Sequence, residues 1–328
     1  MSLRKLFLLI LLATKAMAGQ SQSVTGKTYI HQEPASFKSQ LLQTLMVVLG
    51  KKKTLEKNLT RNKYTSVAAT IPYRLQTEFA LQASEVNQRK VWTFRPQHRA
   101  SRQVILYIHG GGYISNLTNY DWDLINALLL KTNCTIVVPD YPLAPASNYQ
   151  DVYDYFDKLY LDLLTDTSPD SIIFLGNSAG GGIALGLAQK LRNDKKLQPS
   201  QIILNSPWLD ITMSNPEISQ LDKKDKLLGI RGLEMAGKMY AAELNAMDYK
   251  VSPIYGDFSG LGQISIFIGT HDLFLADARK LKLRLENENI PVNYFEYPKM
   301  FHLWMAVTSL KESKHAINQI TMLINSQD

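Results

Sequence analysis

From about residue 75 to the end of the chain, short apolar runs alternate with longer amphipathic stretches. "FALQAS" and "KVWTFRP" read as a strand pair, and "QVILYIHGGG" reads as a buried strand entering a glycine loop. "TIVVPDYP", "SIIFLG", "QIILNSPW", "ISIFIGT" and "VNYFEYP" add further strands. The intervening "DWDLINALLLKT", "DVYDYFDKLYLDLL", the stretch from Ala179, "ADARKLKLRLENEN" and a closing segment ending near Ile324 have helical spacing. This alternation predicts an α/β chain with a mostly parallel, doubly wound sheet. Ligands of such sheets bind beyond the carboxyl ends of the strands.

Two stretches depart from the alternation. "SFKSQLLQTLMVVLGKKKTLEKNL" predicts an amphipathic helix ended by Gly50, and residues 213–247 form a helical insertion. We expect these two, at about 36–56 and 213–247, to make a helical cap on a single domain spanning 36–328. Residues 19–35 read as a polar linker. The first 18 residues carry a basic start, an apolar run from Leu6 to Ala13 and Ala16-Met17-Ala18 as a small-x-small cleavage site. They predict a secretory signal and a secreted or extracytoplasmic protein, with an uncleaved apolar anchor as the alternative. The run is too short to span a bilayer, so no stable membrane span is expected after cleavage.

Composition narrows the chemistry. The 328 residues are 45% hydrophobic and 20% charged, as in ordinary globular proteins. Cys134 is the only cysteine, which excludes an intrachain disulfide and a Cys-rich metal site. The net charge is +7, and Arg4, Lys5 and Lys15 in the signal supply three of these charges. Lys51-Lys52-Lys53 reads as a solvated face, and no nucleic-acid-binding motif accompanies it. There is no His-Glu-x-x-His and no metal-spaced carboxylate set, so no metal is expected. The pattern says nothing about oligomeric state.

Two motifs carry chemistry. Gly176-Asn177-Ser178-Ala179-Gly180 directly follows a predicted strand and opens a predicted helix. That is the setting in which a serine is held out on a strained turn as a nucleophile. Chance supplies roughly 0.07 copies of Gly-x-Ser-x-Gly at this composition, so position strengthens a signal that is modest alone. The second motif is "HGGGY", His109 to Tyr113, expected by chance about 0.001 times for its first four residues. A glycine loop offers uncrowded backbone N–H donors for a tetrahedral oxyanion.

A nucleophilic serine needs a base, and the base needs an orienting acid. His302, in a loop after the last predicted strand, is placed to be the base, whereas His315 reads as a surface residue of the closing helix. Asp272, ending "ISIFIGTH", is the natural acid. Asp277 falls at the start of the next helix, where a carboxylate favours the N-terminal dipole. The order Ser178, Asp272, His302 is that expected of an α/β-hydrolase.

With "PDYPLAP", "NSPWLD", "VSPIYGDFSGL" and "GTHDLFLADARKL" in order, residues 75–310 resemble the hormone-sensitive-lipase-like family of α/β-hydrolase esterases. The resemblance implies an α/β-hydrolase fold and cofactor-free hydrolysis of small carboxylic esters through an acyl-serine intermediate. It implies Ser178 as nucleophile, Asp272 as acid and His302 as base, with the amides of Gly111, Gly112 and Ala179 forming the oxyanion hole. Some relatives act on lactones. The chain departs from the family pattern at Asn177, Pro142 and Ala146, where Asp, Arg and Glu are common. Tyr113, Met213 and Met239 are candidates for lining a substrate pocket beneath the cap. The expected partner is a small ester. Alternatives are an amidase or peptidase on the same fold, or a non-catalytic small-molecule receptor.

Overall fold

A computed structural model describes residues 26–98 and 100–326; the signal predicted at residues 1–18 lies outside them. The strands, in chain order, are β1 (Thr28–Ile30), β2 (Phe79–Val86), β3 (Arg89–Pro96), β4 (Val104–Ile108), β5 (Thr135–Pro139), β6 (Ile172–Asn177), β7 (Gln201–Asn205), β8 (Gln263–His271) and β9 (Val292–Phe301). They form one sheet in the order β1-β9-β8-β7-β6-β4-β5-β3-β2. Pairing is parallel from β1 to β5 along that order, and the β2–β3 hairpin adds antiparallel strands at the other edge. The α/β reading therefore holds, with nine strands in a mostly parallel sheet.

The helices are α1 (Phe37–Val48), α2 (Thr54–Thr60), α3 (Tyr73–Glu78), α4 (Asn119–Thr132), α5 (Tyr149–Leu163), α6 (Ala179–Asn193), α7 (Ile218–Leu221), α8 (Ile230–Ala241), α9 (Leu275–Asn287) and α10 (Lys311–Asn325). Local chemistry sets their starts. Thr118 with Asp121 makes a capping box at α4, and Asn148 with Asp151 makes another at α5. The two faces of the sheet carry separate apolar cores. Leu106, Phe174, Leu204 and Ile266 pack on the face of α5 and α6, whereas Ile105, Ile173, Ile203 and Phe267 pack on the face of α4 and α10. The continuous apolar runs of these strands follow from burial on both sides.

Two predicted segments differ from what is observed. Residues 19–35 contain β1, which pairs with Tyr294–Glu296 of β9, so part of the expected linker is an edge strand. Its backbone partners lie more than 260 residues away, and a three-residue run has too little periodicity to announce itself. The helix expected to end at Gly50 does so as α1, and Gly50, in the left-handed region (φ 61°), separates it from a 3₁₀ turn at Lys51–Lys53 and from α2, so the stretch 36–56 is not one continuous helix. The insertion is helical only in α7 and α8. Helix α2 packs against α8, so the N-terminal segment and the insertion touch.

Candidate active site

Strand β6 ends at Asn177 and α6 begins at Ala179, leaving one residue to turn the chain. That residue, Ser178, has φ 52° and ψ −118°. Such backbone strain costs of order 1–3 kcal/mol and persists only where neighbours hold it. Here the Ser178 amide donates to the Asn205 carbonyl at 2.9 Å. The Ser178 carbonyl accepts from Trp208 and Gly181 N–H, each at 2.9 Å. Glycine at 180 is a requirement of space, since a Cβ there would stand 2.1 Å from the Ile108 carbonyl oxygen.

The turn aims Ser178 Oγ at His302. The Oγ lies 2.9 Å from Nε2, and Nδ1 of the same ring lies 2.9 Å from Asp272 Oδ2. Asp272 follows β8 and His302 follows β9, so neighbouring parallel strands deliver both at one end of the sheet. All three are buried, Ser178 being 5% and His302 4% exposed. Asp272 Oδ1 accepts the Phe274 amide at 3.0 Å, and the Phe274 ring meets the His302 imidazole edge-on. An imidazole held between a hydroxyl and a buried carboxylate can take the hydroxyl proton and be stabilised as imidazolium.

The glycine loop stands opposite. Gly111 has φ 107° and Gly112 φ 63°, and a Cβ on Gly111 would lie 2.1 Å from the Ser115 carbonyl oxygen. Only glycine fits there. Hydrogen bonds from Ile114 and Ser115 N–H to the Gly111 carbonyl close the turn. Tyr141 O–H donates to the His109 carbonyl at 2.8 Å while its ring stacks on the His109 imidazole. Burial lowers the His109 pKa, so this ring is a neutral packing element. Among the described residues, no acceptor is assigned to the amides of Gly111, Gly112 or Ala179. The Ala179 amide is also the first of α6, at the positive end of its dipole.

The remaining candidates occupy packing positions. Tyr113 is buried, with its ring stacked on Tyr240 at 3.8 Å and lying 5.0 Å from Trp208. Met213 is buried in the same core as Ile218 and Leu221, and partly buried Met239 packs against that core. His315 bonds the Tyr297 hydroxyl at 2.8 Å, on the α10 side of the sheet. His271 Nδ1 faces Gln43 Oε1 at 2.8 Å.

Asp277 lies in the first turn of α9, where the sequence places it, and burial is the dominant influence on its carboxyl, pushing it up to about 6. Asn215 donates to one oxygen at 2.9 Å, and the other has no partner among the described residues.

The roles of two residues were not legible in the sequence. Asn177, the departure before the serine, donates to Tyr107 Oη at 2.6 Å and accepts from Asn205 Nδ2 at 3.0 Å. Tyr107 passes the chain on to Asp121 at 2.9 Å, so the amide supports the turn from below. Asp225, within the lysine-rich "LDKKDKLL", is buried beside Asp272. Its Oδ2 accepts the Leu273 amide at 2.8 Å, while Oδ1 accepts those of Leu227 and Leu228. Burial first, and then the charge of Asp272, raise its carboxyl to about 6.

Known proteins share this arrangement of chain and fold. The family profile described as alpha/beta hydrolase fold matches residues 105–306. An esterase of Acinetobacter venetianus is 30% identical over 237 residues, covering 70% of this chain and 77% of that one. An acetyl-hydrolase of Streptomyces hygroscopicus is 28% identical over 211 residues, covering 64% and 70%. A hormone-sensitive lipase from a metagenome library superposes with a TM-score of 0.77 at 25% identity, covering 88% of this chain and 99% of that one. With its sheet order, its serine turn and these relatives, the chain belongs to the α/β-hydrolase-fold family, in the hormone-sensitive-lipase-like branch, and is a carboxylic ester hydrolase.

Proposed function

We propose that the protein is a serine carboxylesterase for short- to medium-chain esters, working through an acyl-serine intermediate. The observation that carries this reading is the contact series Ser178 Oγ to His302 Nε2 to Asp272, at 2.9 Å for each step. His302 takes the Ser178 proton as Oγ bonds to the substrate carbonyl carbon. The amides of Gly111, Gly112 and Ala179 receive the negative charge that forms on the carbonyl oxygen. The tetrahedral species collapses as His302 returns its proton to the departing alcohol. Water, deprotonated by the same imidazole, then attacks the acyl-serine carbonyl, and collapse releases the acid and restores Ser178. The buried Asp272 carboxylate keeps the imidazole oriented and offsets its positive charge.

Fluorophosphonate labelling followed by peptide mapping tests the assignment. A label on Ser178, lost in His302→Ala, is the expected result. Labelling elsewhere, or none, rejects it and favours a receptor built on the scaffold. Lactones belong to the same substrate chemistry, because ring opening passes through the same tetrahedral species; a lactone panel beside p-nitrophenyl esters separates the two. We further propose secretion with cleavage after Ala18, which intact-mass measurement of the exported protein checks.

A further inference from the structure

Helix α1 packs inward through Ser39 and Gln43, with partly buried Leu42 and Met46 beside them. Ser39 and Gln43 are buried, while Phe37, Leu41, Leu45 and Val48 are exposed at spacings of four, four and three. These spacings put the four on one helical face. Phe37 is 81% and Val48 77% exposed, and Leu49 continues the stripe. Six of the sixteen large hydrophobic side chains that are exposed among the described residues fall between 37 and 49.

This orientation is held by buried polar contacts. Glu312 of α10 accepts the Ser36 amide at 2.5 Å, together with the hydroxyls of Ser36 and Ser39. Gln43 donates to the Lys299 carbonyl at 3.0 Å and faces His271 on its other atom. Each buried polar group has found its partner, so rolling the helix to hide its leucines would orphan them. The apolar stripe is thus held outward by the fold.

Charge identifies what it meets. Between residues 37 and 63 there are seven basic side chains and one acidic, Glu56, which faces Arg231. Lys38, Lys51, Lys53 and Lys57 are exposed beside the stripe. A second copy would bring the same basic set against itself. The chain's own residues 1–25 contain Arg4, Lys5 and Lys15 and no acidic residue, so they too would repel. An anionic surface is complementary. No helix among the described residues is long and apolar enough to cross a membrane, so contact must be in the plane of the surface.

We propose that α1 is an interfacial helix docking this protein on an anionic phospholipid bilayer, with Phe37, Leu41, Leu45, Val48 and Leu49 inserted and the lysines at the headgroups. The same arm reaches the site. A Cβ placed on Gly112 would lie 4.0 Å from the Leu55 side chain, and Lys52 pairs with Asp222 of the insertion at 2.8 Å. Docking therefore sets the covered mouth of the serine site next to the lipid surface. The docking itself does not depend on the esterase reading.

The test is co-sedimentation of the full chain with phosphatidylcholine vesicles, with and without phosphatidylglycerol. We expect binding to the phosphatidylglycerol vesicles, weakened by salt. The combined variant Phe37→Ser, Leu41→Gln, Leu45→Gln should lose about tenfold or more of the partitioning, and Lys51→Glu with Lys53→Glu should weaken it comparably at low salt. Unchanged circular dichroism and melting would show that both variants fold. Failure of wild type to bind anionic vesicles overturns the proposal. So does wild-type partitioning by the triple variant, which would assign binding to residues outside α1. A dimer in sedimentation velocity that the triple variant dissociates would also overturn it, because a second copy then covers the face.

Discussion

Asp225 accepts a hydrogen bond at 2.8 Å from the amide of Leu273, the residue after Asp272. The insertion thus fastens the strand end that presents the acid to His302. Asp225→Asn keeps the shape but turns one accepting oxygen into a donor facing that amide. Losing a buried hydrogen bond of this kind costs about 1–3 kcal/mol, and if the loss appears in the transition state it lowers kcat by roughly 5–160-fold. We expect kcat on p-nitrophenyl acetate to fall within that range while KM moves less than about twofold. A proportional rise in KM with kcat intact would mean that Asp225 shapes the pocket rather than the position of Asp272.

Ser178→Ala and His302→Ala should each reduce ester turnover by roughly 10⁴–10⁶-fold. Asp272→Asn should also be severe, because the ring loses its orienting acceptor and the charge that stabilises the imidazolium. His315→Ala should change turnover less than about threefold, since its ring bonds Tyr297 on the opposite side of the sheet. Interchanged effects of the two histidines would reject His302 as the base.

Asp277 gives a pH signature in stability rather than rate. Its carboxyl is pushed up to about 6, well above the ordinary aspartate range, chiefly because it is buried. Near pH 3 both states hold the proton and no penalty exists. Between about 4 and 6 the unfolded chain releases the proton first, so stability falls as pH rises. Above about 6 the penalty is complete, at roughly 1–3 kcal/mol. Asp277→Asn should therefore raise the melting temperature relative to wild type more at pH 7.5 than at pH 4. A difference that does not change with pH would mean the carboxyl is not perturbed.

Acyl length should show an optimum. Ser178 is buried, α2 packs against α8, and the ring of Tyr113, next to the glycine loop, stacks on Tyr240 of α8. Each methylene buried gains about 0.8 kcal/mol, so kcat/KM on p-nitrophenyl esters should rise over the first few carbons. Overpacking of about 1–3 kcal/mol then reverses it, placing the optimum between roughly C2 and C8. Activity still climbing at C16 would require a pocket open along its length.

The sequence alone determined the class of fold and the order in which strands, glycine loop and candidate side chains occur. Those signals are local. A strand buried on both faces must be apolar throughout, and a one-residue turn from strand to helix needs small neighbours, whatever lies elsewhere. Ser178 and the His109–Tyr113 loop were legible for that reason. Tertiary structure decided what depends on distant partners. Asp225 looks like one more charge in a lysine-rich run until the backbone at Leu273, 48 residues on, encloses it. Asp277 carries the signature of a dipole-stabilised carboxylate, but its burial raises the carboxyl despite the hydrogen bond from Asn215. β1 exists because β9 offers it an edge. The outward stripe of α1 is the strongest case. Periodicity gives a two-sided helix but cannot say which side faces in, and buried Glu312, bonded to Ser36 and Ser39, turns the face of Ser39, Leu42, Gln43 and Met46 inward and leaves Phe37, Leu41, Leu45 and Val48 outside.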